Sequence, residues 1–235
     1  MTINGASLDI HLARRVPQPA PVPLVVFASG DGGWFGAAIG MFDTIASAGY
    51  PVAGVSSRAL LRALRTPSHQ ISNARLLDAY GEIIGTAERA FSLPAHGKVI
   101  LAGWSRGASI AVILGAERQK TPATGVVAIG LAAEEDLNVD LDSDDEGEPV
   151  TGVVRGTDTY AMSRAILGRV AVIQSTGDGY VAADRARALF GADTRGRHFY
   201  EVPATNHRFS GGATTFRQAL RDALTWISTE EDVHQ

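Results

Sequence analysis

The sequence predicts an α/β fold, in which helices cover both faces of a mostly parallel central sheet. Short apolar runs alternate along the chain with longer segments of helical periodicity, and this order is typical of parallel sheets. The composition is that of an ordinary globular protein, with 45% hydrophobic and 20% charged residues. Because 235 residues suit one full core, we expect a single domain over residues 1–235.

The predicted strands are apolar runs that are too short for helices. The first is half-buried, because Leu8, Ile10 and Leu12 alternate with polar residues. The other strands are predicted at residues 24–28, 51–55, 99–102, 125–129, 169–174 and 198–202.

Apolar residues at helical spacing predict the elements between these strands. Helices are expected at residues 35–48, 71–91 and 181–190, and a further helix follows Ser105. In the first of these helices we expect Ile39 to face inward. Residues 56–70 form a basic loop or a short helix. Thr215 and Gln218 have the spacing of a capping box, which predicts the start of the last helix.

The order Gly103-Trp104-Ser105-Arg106-Gly107 is a G-x-S-x-G motif between a predicted strand and a predicted helix. This context is typical of the nucleophile elbow of α/β-hydrolases. A sharp turn lifts the serine hydroxyl off the sheet, and the two glycines leave room for that turn. We therefore expect an α/β-hydrolase fold with Ser105 as the nucleophile.

An acid and a base are expected just after later strands, because the carboxyl ends of parallel strands share one edge of the sheet. Asp178 follows the strand at 169–174, although a plain surface turn would also account for it. His207 follows the last strand and precedes the last helix. The chain order Ser105, Asp178, His207 is that of an α/β-hydrolase triad.

An oxyanion hole requires backbone N–H groups near the nucleophile. One is expected from Arg106, directly after Ser105, and others from Asp31 and Gly32 in the glycine-rich loop after the strand at 24–28. We expect the Asp31 carboxylate to point away, because a negative charge there would oppose an oxyanion. An ordinary strand-to-helix turn is the alternative interpretation of this loop.

The stretch 134–148 holds nine acidic residues and no basic one, whereas the whole chain has a net charge of −4. We interpret residues 134–150 as an acidic loop or a small lid, since the segment is too short for a large cap domain. Asp140, Asp142 and Asp144 are spaced as in an EF-hand, but Asp145 replaces its glycine and Thr151 its glutamate. Neither a metal ion nor a cofactor is therefore predicted.

The two ends of the sequence and its net charge give expectations about localisation and partners. Residues 1–21 form an N-terminal strand and a proline-rich connector, and residues 229–235 form a tail. The first residues lack the features of a secretory signal. A cytoplasmic protein is expected if Met1 is the native start, and a periplasmic one if an export signal preceded it.

No segment is apolar enough for a transmembrane helix. The negative charge argues against nucleic-acid binding, and the oligomeric state stays open.

These motifs resemble the VirJ/AcvB family of bacterial α/β-hydrolases. The resemblance rests on SGDGGW at residues 29–34, Arg65-Thr66-Pro67, the serine elbow, Asp178 and His207, and it spans roughly residues 22–228. It implies a Ser–Asp–His hydrolase, usually periplasmic. Some members are linked to hydrolysis of aminoacyl-phosphatidylglycerol, and others to type IV secretion and virulence.

We therefore expect a serine hydrolase that cleaves carboxylic esters of small molecules or lipids, with lysyl-phosphatidylglycerol as one substrate hypothesis. The candidate substrate-binding residues are Trp34, Trp104, Arg58 and Arg62. Peripheral contact with a membrane is compatible with such a substrate. A non-catalytic adaptor of a secretion system and an acyltransferase on the same fold are the alternatives.

Overall fold

The computed structural model describes residues 1–15, 22–65, 70–117, 123–138 and 156–229. The strands, in chain order, are β1 (Thr2–Ile3), β2 (Ala6–Ser7), β3 (Ile10–Ala13), β4 (Leu24–Ala28), β5 (Val52–Val55), β6 (Val99–Trp104), β7 (Ala123–Ile129), β8 (Glu134–Glu135), β9 (Thr157–Asp158), β10 (Arg169–Ser175) and β11 (Arg197–Val202). The helices are α1 (Ala37–Ser47), α2 (Ser57–Leu64), α3 (Asn73–Phe91), α4 (Arg106–Ala116), α5 (Thr159–Ser163), α6 (Ala183–Phe190) and α7 (Ala213–Ser228).

Seven strands form the central sheet in the order β11-β10-β7-β6-β4-β5-β3. All neighbours are parallel except β3, which pairs antiparallel with β5 at one edge. The carboxyl ends of β6, β7, β10 and β4 therefore meet at one edge of the sheet. The predicted mostly parallel architecture is confirmed.

Alternate positions along each strand supply two hydrophobic cores, as the period of two requires. Val25 and Phe27 pack with α1 and α7 on one face. Val26 and Ala28 pack with α3 and α4 on the other face. Because both faces are covered, the central strands are apolar throughout.

Two details of the helices differ from the sequence prediction. Ile39 was expected to face inward, yet it is exposed, because α1 buries positions 38, 41, 42 and 45 and position 39 lies about 100° away on the helix. The predicted capping box is also wrong. Helix α7 begins at Ala213 without a side-chain cap, so Thr215 lies inside its first turn, and Gln218 donates to Asp222 instead.

Two pairs of short strands and one short helix had no clear signal in the sequence. They are the antiparallel pair of β1 and β2, the antiparallel pair of β8 and β9, and the one-turn helix α5. Strand β8 lies in the stretch 134–150 that was predicted as an acidic loop or a small lid, whereas β9 follows that stretch. Within the stretch, Glu135 is buried, with 7% of its surface exposed.

Several predictions concern residues outside the described part of the chain. These are the prolines of the connector from 16 to 21, Thr66-Pro67, residues 139–150 of the acidic segment and the tail from 230 onward. The described helices all lack an apolar stretch long enough to carry them through a lipid bilayer.

Candidate active site

Ser105 occupies the sharp turn between β6 and α4. Its φ of 57° and ψ of −124° are a strained conformation for a residue with a side chain. Its N–H donates to the carbonyl oxygen of Ile129 at 2.8 Å, which ties the turn to the end of β7. The side chain is thereby presented at the carboxyl edge of the sheet.

The two glycines of the motif are required by close backbone contacts. A Cβ on Gly103 would lie 2.1 Å from the carbonyl group of Gly107. A Cβ on Gly107 would lie 2.2 Å from the carbonyl oxygen of Ala28, at the end of β4. The helix α4 can therefore start beside the sheet only where both side chains are absent.

Asp178 and His207 form a close pair. Asp178 follows β10, its side chain is fully buried, and its Oδ2 lies 2.6 Å from Nδ1 of His207. Its Oδ1 accepts hydrogen bonds from the N–H groups of Tyr180 at 2.9 Å and Val181 at 3.4 Å. Burial opposes the charge on Asp178, but the hydrogen bonds from His207 and these N–H groups outweigh it and lower the pKa of the carboxyl.

The other ring nitrogen of His207 is available for chemistry. The Asp178 carboxylate favours the tautomer with the proton on Nδ1, so Nε2 carries the lone pair. That Nε2 is buried and has no hydrogen-bond partner among the described residues. A buried acceptor in this state is costly in a purely structural residue and is typical of a site that awaits a ligand.

Two contacts place the imidazole beside the nucleophile turn. The ring lies against Gly130, where a Cβ would come within 2.7 Å of it. Gly130 follows Ile129, whose carbonyl oxygen holds the N–H of Ser105. The indole Nε1 of Trp104, next to Ser105 in the chain, donates to the carbonyl oxygen of His207 at 3.2 Å.

Gln174 is a member of this site that the sequence analysis missed. It lies at the end of β10 and is fully buried. Its Nε2 donates to Asp178 Oδ2 at 3.0 Å and to the carbonyl oxygen of Val181, and its Oε1 accepts from Leu131 N–H at 3.1 Å. A polar residue at the end of an otherwise apolar strand was the signal available in the sequence.

The loop 29–34 lies against Ser105, since a Cβ on Gly30 would lie 3.1 Å from Cβ of that residue. Its base is anchored where Ser57 Oγ donates to the carbonyl oxygen of Gly30 at 3.0 Å and Gly33 N–H donates to the same oxygen at 3.0 Å. In the described part of the chain the N–H groups of Asp31 and Gly32 have no acceptor.

Arg106 contributes both its backbone and its side chain. As the first residue of α4, its N–H has no acceptor within the helix. Its guanidinium is buried, and Nε lies 2.8 Å from Asp31 Oδ1 and 3.1 Å from Glu135 Oε1. The Asp31 carboxylate is therefore engaged in an ion pair with this guanidinium.

Two of the four predicted substrate-binding residues, Trp34 and Trp104, contact other parts of the protein. The Trp34 ring stacks on His11 at 4.1 Å and covers Gly54, where a Cβ would meet it at 2.0 Å. These are packing contacts of a half-buried ring, and substrate contact by Trp34 stays a prediction. Trp104 is buried, and its indole N–H donates to the carbonyl oxygen of His207; substrate contact by Trp104 stays a prediction as well.

Arg58 and Arg62 lie on α2, and Arg58 directly follows Ser57, which anchors the loop 29–34. Arg62 is exposed and Arg58 is half-buried. Substrate contact by either residue stays a prediction.

Two exposed aromatic residues at the site escaped the sequence analysis. Tyr180 is 76% exposed, and its ring lies edge-on to His207 at 4.9 Å. Phe35 is 56% exposed, and its ring lies 2.8 Å from the position that a Cβ on Gly32 would take. Their positions depend on the folding of two loops, which no local pattern reveals.

The described residues include no group of three or more His, Asp or Glu side chains that could hold a metal ion. What the arrangement offers instead is a serine hydroxyl, a partly buried imidazole oriented by a carboxylate, and unpaired N–H groups. These are the groups that nucleophilic catalysis needs.

Comparison with solved structures identifies the fold. Est1E from Butyrivibrio proteoclasticus aligns over 97% of this chain and 99% of its own, with a TM-score of 0.65 and 16% identity. The esterase domain of a Rhodothermus marinus protein aligns over 94% and 97%, with a TM-score of 0.58 and 16% identity. The monoacylglycerol lipase of Paleococcus ferrophilus aligns over 94% and 99%, with a TM-score of 0.56 and 16% identity.

Sequence comparison identifies the family. No curated protein matches the sequence. The sequence profile of the family described as "Bacterial virulence protein (VirJ)" matches residues 23–159, more than half of the chain, including the loop 29–34 and Ser105. The chain therefore belongs to the VirJ family and has the α/β-hydrolase fold.

Proposed function

We propose that this protein is a serine hydrolase that cleaves carboxylic esters through an acyl-enzyme. The observation that carries the proposal is the Asp178–His207 pair, whose buried and unpartnered Nε2 lies beside the strained turn of Ser105. A non-catalytic adaptor would have no use for a buried acceptor kept without a partner.

In the first half of the reaction the Ser105 hydroxyl attacks the ester carbonyl and His207 Nε2 takes its proton. The tetrahedral intermediate collapses, and the imidazolium returns the proton to the departing alcohol. Water then attacks the acyl-enzyme by the same route, with His207 again as the base. Asp178 keeps the imidazole in the required tautomer and stabilises its charged form.

The negative oxygen of each intermediate requires donors that are already in place. We assign this role to the N–H of Arg106 together with that of Asp31 or Gly32. The positive end of α4 adds to the stabilisation, because the intermediate forms at the start of that helix.

The exposed aromatic rings support an ester with an apolar part. Phe35 stands over the loop 29–34 and Tyr180 stands beside His207, so the two rings border the proposed reaction centre. The esterases and the monoacylglycerol lipase of the same fold agree with ester chemistry. An acyl chain held between the rings, with peripheral contact to a membrane, fits this surface.

Aminoacyl esters of phospholipids, such as lysyl-phosphatidylglycerol, are the finer substrate hypothesis. If the acidic stretch 134–148 borders the site, it would attract a cationic aminoacyl group. If Arg58 or Arg62 borders the site as well, either residue would pair with the phosphate. Replacement of Asp142, Asp144, Asp145 and Glu146 by Ser or Asn tests this idea. We expect kcat/KM to fall for cationic esters only, and mainly at low salt, whereas an equal change on neutral esters would contradict it.

Acyl transfer is the second candidate reaction, because it shares the acyl-enzyme and differs only in the acceptor that replaces water. Product analysis with added alcohols separates the two reactions.

Fluorophosphonate labelling followed by a panel of esters of graded acyl length tests the proposed function. We expect the wild type to be labelled and to hydrolyse at least one ester. Ser105→Ala should fold normally, resist labelling and lose about 10⁴-fold or more in turnover. A wild type without labelling or turnover, or a variant with comparable turnover, would refute the proposal.

A further inference from the structure

The Arg106 guanidinium joins three separate parts of the chain. Its side chain is 9% exposed, and it belongs to the first residue of α4. Its Nε lies 2.8 Å from Asp31, in the loop after β4, and 3.1 Å from Glu135, in β8. The residue that follows the nucleophile is thus connected to the loop on one side and to a buried carboxylate on the other.

These contacts are ionic rather than well-aligned hydrogen bonds. Nε approaches both carboxylates but makes no hydrogen bond of good geometry, and Nη1 is buried without a partner among the described residues. A buried guanidinium is expensive unless negative charge lies close to it. The two carboxylates supply that charge, and they also determine where the guanidinium can lie.

Asp31 has an unusual place in the loop 29–34. The base of the loop is held by hydrogen bonds that involve Ser57, Gly30 and Gly33. Its tip consists of Asp31 and Gly32, which carry the N–H groups proposed for the oxyanion hole. In the described part of the chain, the ion pair with Arg106 is the one polar contact of that tip.

Glu135 holds the guanidinium from the other side. Its side chain is 6% exposed. Burial raises the pKa of this carboxyl, and the Arg106 charge offsets part of that rise. Burial of this carboxylate costs free energy, and the nearby guanidinium offsets that cost.

We propose that the side chain of Arg106 is a positioning residue, which Glu135 holds in place and which fixes the tip of the loop 29–34 through Asp31. The same residue then contributes to the oxyanion hole twice, with its own N–H and by keeping the N–H groups of Asp31 and Gly32 aligned with it. The predicted effect on activity rests on the proposed function, whereas the predicted effect on the order of the loop 29–34 does not.

Asp31→Asn is the most direct test, because it breaks the ion pair at the loop and leaves the buried Arg106–Glu135 contact intact. We expect kcat to fall about 10- to 100-fold with little change in KM, as for a displaced group that acts in the transition state. Asp43→Asn is the matched control. It removes a carboxylate of similar exposure from an ion pair of 2.7 Å with Arg15, and it should change neither parameter.

A second readout is independent of activity. Backbone ¹⁵N relaxation of Gly32, at the tip of the loop, should give an order parameter near ~0.85 in the wild type and below ~0.6 in Asp31→Asn. The control variant should remain rigid. Equal order parameters in Asp31→Asn and the wild type would overturn the positioning role, even if the protein proved to be no esterase.

Removing the guanidinium alone would leave Glu135 buried without a counter-charge, and such a variant would fold poorly. The double variant Arg106→Met with Glu135→Gln avoids this difficulty. We expect it to show the same mobility at Gly32 and the same loss of kcat as Asp31→Asn. A rigid loop in a folded double variant would also overturn the proposal.

Discussion

The side-chain amide of Gln174 donates a hydrogen bond of 3.0 Å to Oδ2 of Asp178, the same oxygen that faces Nδ1 of His207. Gln174 and His207 therefore both contact one oxygen of the carboxylate. The other end of the amide accepts the N–H of Leu131, beyond the end of β7. Gln174 thus connects Asp178 to the ends of two neighbouring strands, β10 and β7.

Gln174→Leu should weaken both the fold and the chemistry. The Leu131 N–H loses its acceptor, so the free energy of unfolding should fall by about 1–3 kcal/mol. Asp178 loses one restraint, and kcat should fall by about 10- to 100-fold. Denaturant unfolding and ester kinetics measure the two effects. Gln218→Leu, at an exposed glutamine bonded to Asp222, is the control and should change stability by no more than ~0.5 kcal/mol.

The lowered pKa of Asp178 predicts a signed dependence of stability on pH. A carboxyl whose pKa is depressed by folding stabilises the protein above its ordinary value of 3.8 and loses that contribution as pH falls through the folded value. The wild type should therefore exceed Asp178→Asn in unfolding free energy at neutral pH, by an amount that shrinks below about pH 4. Urea unfolding across this range measures it, and a constant difference would contradict the assignment.

The hydrogen bond from Trp104 to the carbonyl oxygen of His207 should keep the His207 imidazole in position beside Ser105. Trp104→Phe keeps a ring against Gly30 but removes the donor, so we expect a loss of about 0.5–1.5 kcal/mol in stability and a measurable fall in kcat. Trp226→Phe is the control, since Trp226 packs against His198 on the last strand. Equal kinetics for the two variants would contradict a role for this hydrogen bond.

Replacement by alanine should have opposite effects on stability at Gly107, two residues after Ser105, and at Gly81, in α3. Gly107→Ala would place a Cβ 2.2 Å from the carbonyl oxygen of Ala28 and should destabilise the fold by more than about 3 kcal/mol. Gly81→Ala, in the exposed part of α3 with open space around it, should stabilise the fold by about 0.5–1 kcal/mol. Thermal unfolding of both variants compares them directly. Similar changes would contradict the close packing of α4 on β4.

Sequence patterns were enough to predict the elements that depend on local order. The run 99–102, the glycines at 103 and 107 and the apolar spacing after Ser105 specify a strand, a sharp turn and a helix over about twenty residues. Asp178 and His207 could be predicted because parallel strands bring their carboxyl ends to one edge. The same reasoning placed the loop 29–34 beside the serine.

Contacts between distant side chains could not be predicted in this way. Glu135 was included in an acidic loop because it lies in a run of acids, yet its packing against Arg106 buries it. Trp34 lies in the glycine-rich loop, and its ring packs on His11 and over Gly54. None of these partners is close in the chain.

The sequence by itself determined the α/β order, the serine turn and the positions after the strands at which an acid and a base would stand, because hydrophobic period and steric limits on a turn act over short distances. Only the tertiary structure decided that Gln174 supports Asp178, that Arg106 lies between Asp31 and Glu135, and that Phe35 and Tyr180 border the site. Those contacts depend on how loops from separate strands pack together, and the burial that makes them strong exists only in the folded chain.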